Sequence, residues 1–178
     1  APNIIAMEST IVGGKYHGAL TWYHPDGSVL SQKHLLEGDE YGSYLSFFEN
    51  GKTNMEGLFH QGLREGMWIT QFEDGGKRYA TNYYLGMKDS VALSFYENGR
   101  ISMQENYFND QLDGDMLMYD IDGELMVKLI YCQDIISGYQ YLKNGSLTDT
   151  IPVVTGNETI TAFYNSGKKS FEISLKNF

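Results

Sequence analysis

Residues 46–52 read Ser46-Phe47-Phe48-Glu49-Asn50-Gly51-Lys52, and residues 94–100 read Ser94-Phe95-Tyr96-Glu97-Asn98-Gly99-Arg100, the same phrase 48 positions later. Its glycine belongs to a longer series, Gly27, Gly51, Gly75, Gly99, Gly123, Gly145 and Gly167, with steps of 24, 24, 24, 24, 22 and 22. A second column, Gly18, Gly42, Gly66, Ser90, Gly114 and Gly138, keeps steps of 24 throughout. A third, Gly14, Gly38, Gly62, Gly86, Asp110, Asp134 and Gly156, keeps 24 until a last step of 22. Three columns holding one register along most of the chain make it a repeat array of about seven units.

Within a unit the apolar residues alternate at period two, as in Tyr44-Leu45-Ser46-Phe47-Phe48 and then Thr53, Met55 and Phe59, and helix start signals are missing. Each unit therefore reads as strand, tight turn, strand, tight turn. The fold expected is all-β, a single-layer twisted antiparallel sheet or solenoid of about seven β-hairpin repeats of 22–24 residues. It forms one array over residues 1–178, with regular units over 3–134 and shortened, degenerate capping units over 135–178.

Turn chemistry sets the expected register. In His24-Pro25-Asp26-Gly27-Ser28 the proline presets a type I turn and the glycine supplies the left-handed residue after it, a three-residue hairpin loop closed by a glycine bulge. The same loop at Glu49-Asn50-Gly51 places Phe47 opposite Thr53 and Leu45 opposite Met55. Gly38, Gly62 and Gly86, with Asp110 and Asp134 in their column, then mark left-handed positions in the connections between units. This register sorts Tyr23, Phe47, Leu45, Ile69, Leu93, Met55, Tyr79, Leu35, Phe59 and Tyr83 onto a packed face, and Ile5, Met7 and Ile11 fall in the same columns. The other face mixes Gln32, Asn54, Glu56, Asn82 and Gln104 with the rings of Trp22, Tyr44, Phe48, Trp68, Phe72 and Tyr96. Those six rings are the candidate ligand-binding residues. Burial of the rings against one another and a groove for a peptide or for sugar rings are both compatible with the pattern.

Composition narrows the partners. In 178 residues, 13 basic side chains stand against 23 acidic ones, a formal charge of −10 that opposes nucleic acid and direct docking on an anionic membrane. No apolar run reaches the length of a membrane-spanning helix, and no signal-peptide core is present. The chain begins Ala-Pro-Asn, and Asn3 enters a unit part-way, so residues are expected to have preceded Ala1. The single cysteine, Cys132, cannot form an internal disulfide.

Catalysis has little support. His17, His24, His34 and His60 make no His-x-x-x-His spacing, so no metal site is expected, and no cofactor motif occurs. Gly75-Gly76 lacks the strand-to-helix setting of a phosphate loop, and Asp120-Ile121-Asp122-Gly123 lacks the glutamate that would close a calcium loop. The carboxylates at Glu37, Asp39, Glu40, Asp110, Asp113 and Asp115 read as turn solvation.

The pattern Gly66-x-Trp68-x-x-x-Phe72-x-x-Gly75, with Leu58-Phe59-His60-Gln61-Gly62-Leu63-Arg64-Glu65-Gly66 before it, resembles the MORN-type repeat in its longer-period variant of bacterial, antitoxin-like and cell-envelope proteins. The resemblance runs from about Asn3 to Leu175, with departures at Ser90 and Gln71 and in the last units. It implies a noncatalytic scaffold that binds a protein or peptide through the aromatic face or an open edge strand, and it favours an extracytoplasmic place over the cytoplasm. A toxin partner would follow by the same analogy. A homodimer through the sheet edge, or a carbohydrate-binding accessory domain of an envelope enzyme with Trp22, Tyr44 and Trp68 stacking on sugars, are the alternatives.

Overall fold

Two kinds of reversal alternate along the chain, and together they generate its architecture. The first is the loop expected at the repeated phrase: Gly51 N–H donates to Phe48 C=O at 2.9 Å and Phe48 N–H to Lys52 C=O at 2.9 Å. The same pair of bonds recurs around Gly27, Gly75, Gly99, Gly123 and Gly167, each glycine with φ between 79° and 97°. The second is a two-residue turn in which both residues are left-handed, as in Glu37-Gly38 (φ 54° and 97°), Gln61-Gly62, Leu85-Gly86, Asn109-Asp110 and Gln133-Asp134. That is the type I′ hairpin, whose twist matches that of the flanking strands. Asp110 and Asp134 take φ of 67°, so the left-handed positions expected at the connections are there. Gly145 departs from its column, because with Asn144 it makes a two-residue turn between Lys143 and Ser146.

The computed structural model describes residues 5–154 and 157–176, and Asn3 and Gly156 of the repeat columns lie outside them. The protein is all-β, with eighteen strands and no helix among the described residues. It divides into two units, Ala1–Met87 and Lys88–Phe178.

In the first unit β1 (Met7–Val12), β2 (Lys15–Tyr23), β3 (Val29–Leu36), β4 (Asp39–Phe47), β5 (Thr53–His60), β6 (Leu63–Gln71) and β7 (Lys77–Tyr84) pair antiparallel in chain order. In the second, β8 (Met87–Phe95), β9 (Ile101–Phe108), β11 (Gly114–Tyr119), β12 (Leu125–Cys132), β13 (Ile135–Gln140) and β16 (Ile151–Pro152) do the same, with β10 (Gln111–Leu112) beside β9. Two hairpins stand apart in the second unit, β14 (Leu142–Lys143) with β15 (Ser146–Leu147), and β17 (Thr159–Phe163) with β18 (Lys169–Ser174). The β17–β18 hairpin lies across the sheet, where Ile160 and Ala162 pack with Met116, Val127 and Leu129 into the buried core. β16 is two residues long and contains Pro152, a combination that blunts a sheet edge.

The sorting of the faces differs from the sequence expectation. Phe47 does oppose Thr53, but the register then slips by one, so Ser46 opposes Met55 and Leu45 opposes Glu56. The extra residue is Asn54, and the slip recurs in the other hairpins between Trp22 and Tyr23, Thr70 and Gln71, and Ser94 and Phe95. Because side chains alternate along a strand, a slip of one residue moves a whole first strand to the other face. Leu45, Ile69 and Leu93 therefore share a face with Glu56 and Gln104, while Tyr44 and Trp68 join Met55, Phe59 and Tyr83. Ile5 and Ile11, expected in the core, are each 62 % exposed.

The turns are stitched to one another. The second residue of each connection donates its N–H to a carbonyl 22 residues earlier: Gly38 to Tyr16, Gly62 to Glu40, Gly86 to Arg64, Asp110 to Lys88 and Asp134 to Leu112, at 2.8–3.0 Å. Where aspartate replaces glycine, its carboxylate also accepts the N–H of the same earlier residue, Lys88 at 2.6 Å and Leu112 at 2.8 Å. At the opposite tips, Asn50 and Asn98 use both ends of their amides. Each Oδ1 accepts the N–H two residues on, and each Nδ2 donates to the next tip, to Glu73 C=O at 3.2 Å and Ile121 C=O at 3.0 Å. Asp26 and Asp74 fill only the accepting role, and donation from the Ser28 hydroxyl and N–H holds the Asp26 carboxyl below its ordinary range.

Substituting Asn98→Asp should keep the local cap and lose the bond to Ile121, lowering stability by about 1 kcal/mol in urea unfolding, whereas Asp74→Asn should be neutral or stabilising. Ser90 is left-handed at φ 68° in a column otherwise occupied by glycine, so Ser90→Gly should raise the unfolding midpoint by an amount equivalent to about 1 kcal/mol.

Candidate functional site

Corrected for the register slip, one face of the first unit consists of three rows that cross the strands. One runs Trp22, Ser31, Ser46, Met55, Thr70, Tyr79. The next runs Leu20, Lys33, Tyr44 and Gly57, with Trp68 and then Thr81 beyond it. The third holds Leu35, Glu40, Phe59, Arg64 and Tyr83.

At the centre Trp68 is only 4 % exposed, although it stands on a sheet face with no second layer among the described residues of this unit. Its own neighbours bury it. Tyr44 stacks on it at 5.4 Å between ring centroids, and Phe59 and Tyr83 meet it edge-on at 4.9 and 6.3 Å. Those separations suit the ring quadrupoles. The indole Nε1 donates to Leu58 C=O at 3.1 Å, so its polar atom is satisfied. Above the ring lies Arg64, whose guanidinium carbon is 4.3 Å from the Trp68 centroid and 5.2 Å from that of Tyr83, with Nη1 donating to the Tyr83 hydroxyl at 3.1 Å. Beside this group Lys33 and Glu40 form an ion pair at 2.6 Å.

Gly57 makes the arrangement feasible. A Cβ at that position would fall within the Trp68 ring itself, so the glycine forms the floor of the tryptophan site. In the second unit the equivalent of Arg64 over Tyr83 is Lys88 over Tyr107, 4.6 Å from its centroid. Burial, with Glu105 beside it, pushes the Tyr107 phenol well above its ordinary range.

The six rings singled out in the sequence are distributed unevenly. Tyr44 and Trp68 are brought together. Trp22 is on the same face and 43 % exposed, an accessible ring at the end of its row. Phe48 and Phe72 follow the first strands at the hairpin tips and are half-buried, Phe72 with the Arg78 guanidinium 5.8 Å from its ring. Tyr96 belongs to the second unit, where its hydroxyl donates to Tyr119 C=O at 2.8 Å. Arg64, Phe59, Tyr83 and Gly57 were not among the sequence candidates. A lone glycine inside a regular strand, facing a column that holds a tryptophan, is the signal that could have found them.

Among the described residues no group of histidine, cysteine and carboxylate side chains is placed to hold a metal ion. Cys132 is a free, exposed thiol.

Residues 16–35 match the MORN repeat variant family. They span β2, the first three-residue loop and β3, and this same hairpin with the same turn bonds recurs along the chain. That hairpin is a MORN-type repeat. No curated protein matches the chain. MORN repeats in general mediate protein or membrane interactions and are a noncatalytic repeat type.

Gly57→Ala should expel the Trp68 ring, lowering stability by about 2–3 kcal/mol and moving tryptophan emission to the red as the indole meets water. Trp68→Ala should destabilise by about 3–5 kcal/mol, the range for emptying a buried aromatic site.

Proposed function

We propose that this MORN-type array is a noncatalytic interaction module that binds a protein segment on the ring-lined face of its first unit. The observation that carries the reading is a contrast between the two units. In the second, the face bearing Met116, Val127 and Leu129 is covered by the β17–β18 hairpin. In the first, the same face carries Trp22, Tyr44, Trp68, Tyr79 and Arg64, and among the described residues of that unit no element lies over it.

The face has the make-up of a recognition surface. Aromatic rings and arginine dominate the energetics of protein interfaces, and a ring already fixed by its neighbours loses little freedom on binding. The row from Trp22 to Tyr79 has exposed rings at both ends, 43 % exposed in each case, with the small side chains of Ser31, Ser46 and Thr70 and the half-buried Met55 between them. An extended segment can lie in that trough, and Arg64 offers a stacked cation to a carboxylate or carbonyl group of the ligand. Phe48, Phe72 and Tyr96 serve as supports near the tips rather than as contacts. The formal charge of −10 supports a protein partner over nucleic acid or an anionic bilayer.

The test uses exposed residues, because truncating Trp68 would unfold the site. A Trp22→Ala/Tyr79→Ala variant should melt within a few degrees of the parent and lose a partner captured by the parent from extracts of the source organism, with a dissociation constant at least tenfold weaker. Unchanged capture by the folded variant would refute the assignment of this face. Loss of binding to a glycan array instead of to a protein would transfer the face to sugar recognition.

A further inference from the structure

We infer a second docking surface in the first unit, an apolar strip on the opposite face that fits a basic amphipathic helix of a partner protein. It rests on the reading of the chain as an interaction module, but it uses a different face. The strip follows the type I′ turns from β3 to β7 and is built of Leu36, Tyr41, Leu58, Leu63, Met67 and Tyr84, each 45–56 % exposed. The register places them together. Leu58 opposes Ser43 across one ladder and Glu65 across the other, so Leu63 and Met67, two positions either side of Glu65, are its diagonal neighbours, while their own directly opposed partners are the polar His60 and Asn82. The Tyr41 and His60 rings meet edge-on at 5.6 Å between centroids.

The fold does not demand this apolar character. Forty-eight residues further on, the positions of Leu58, Leu63 and Met67 are occupied by Asn106, Gln111 and Asp115 on the same hairpin geometry. A repeat protein thus supplies its own control: the backbone tolerates polar side chains at these three sites, so the exposed Leu58, Leu63 and Met67 reflect something other than strand formation, whereas the column of Leu36 and Tyr84 stays apolar in the second unit as the exposed Phe108.

Shape and charge select the occupant. The strip runs across the strands and not along them, over about four inter-strand spacings, or roughly 19 Å. A helix of roughly 13 residues covers that length. On β6 the strip reaches from Leu63 to Met67, a width that the single apolar stripe of an amphipathic helix can cover. The carboxylates of Glu37 and Asp39 fringe it, Glu65 stands within it between Leu63 and Met67 and accepts Leu85 N–H at 3.2 Å, and no lysine or arginine stands on it, so the flanks of the helix should be basic.

The probe is a labelled synthetic 14-residue helix of leucine and lysine in amphipathic order, followed by fluorescence anisotropy with the full chain, alongside a peptide with glutamate in place of lysine. The lysine peptide should bind saturably, at least tenfold more weakly to a Leu58→Ser/Met67→Ser variant, more weakly to Asp39→Lys, and as to the parent with Trp22→Ala/Tyr79→Ala. Both serines replace exposed side chains, and a melting curve checks that the variant is folded. Equal affinity for the parent and the serine variant, or equal binding of the glutamate peptide, would overturn the proposal. So would a concentration-dependent dimer of the parent that the serine variant abolishes, since the strip's occupant would then be a second copy of this chain. If only the Trp22→Ala/Tyr79→Ala variant loses the peptide, the helix belongs to the ring-lined face and this strip is refuted, while the interaction-module reading stands.

Discussion

Left-handed backbone at fixed intervals is the constraint from which the rest of this structure follows. Each three-residue loop needs one such residue and each type I′ turn needs two, and the positions at which the chain can supply them define the 24-residue period. Glycine does most of this. Where it is replaced, the substitute works for its place: Asp110 and Asp134 accept the N–H of the residue to which their own N–H groups point, converting one bond between successive connections into two. The asparagine of the repeated phrase is chosen on similar grounds, because only an amide can cap its own loop and donate to the next tip. The connections and tips are thus joined in the direction perpendicular to the strands, which adds hydrogen bonds where a single-layer sheet has little apolar burial to hold it.

A single inserted residue per hairpin then decides what the faces become. The glycine bulge was readable in His24-Pro25-Asp26-Gly27 and in Glu49-Asn50-Gly51, since proline, asparagine and glycine each prefer the dihedral angles they adopt. The further slip at Asn54 was not readable, because no residue type is required there and its evidence lies in the pairing of distant side chains. The consequence is disproportionate. The fold class, the period, the hairpin loops and the left-handed aspartates were all legible, while the first strands were assigned to the wrong face and Trp68 was placed away from Phe59 and Tyr83. The same slip explains why Trp68 could be singled out as a surface ring and prove to be the best-buried residue of its unit. Its column neighbours Leu20, Ala92 and Met116 are buried as well, so the column is an inward one, and the ring is accommodated by the absence of a side chain at Gly57.

Burial of this tryptophan divides the labour on its face. Trp68 cannot exchange its contacts for a ligand's without losing Tyr44, Phe59 and Tyr83 together, so it acts as a keel that holds those rings and Arg64 in place. The rings at the ends of the neighbouring row, Trp22 and Tyr79, are the more exposed ones, 43 % each. Affinity at protein interfaces depends on how little freedom is lost by the groups that make contact, and a guanidinium fixed between two rings and a hydroxyl begins with most of that loss already incurred.

The repeat architecture offers a way to separate residues kept for the fold from those kept for something else. When the same backbone position recurs in several units, a feature demanded by the hairpin should recur with it, as the left-handed glycines and the turn bonds do. Trp68, Gly57 and Arg64 do not recur as a set, and neither does the apolar strip of Leu58, Leu63 and Met67, which gives way to Asn106, Gln111 and Asp115 on equivalent strands. Conversely, in the second unit the inward face has exchanged rings for Met116, Val127 and Leu129, and there the chain's own C-terminal hairpin packs on it. One scaffold thus carries two versions of the same face: in one unit an aliphatic core, with Tyr131 and Tyr139 packed against it, under the C-terminal hairpin, and in the other a ring-rich surface over which no element lies among the described residues of that unit. The physical difference is in how each surface can be satisfied. Aliphatic side chains without polar atoms are stabilised by being sealed from water, whereas rings with hydroxyl, indole and guanidinium groups remain soluble while exposed and retain directional contacts for a ligand.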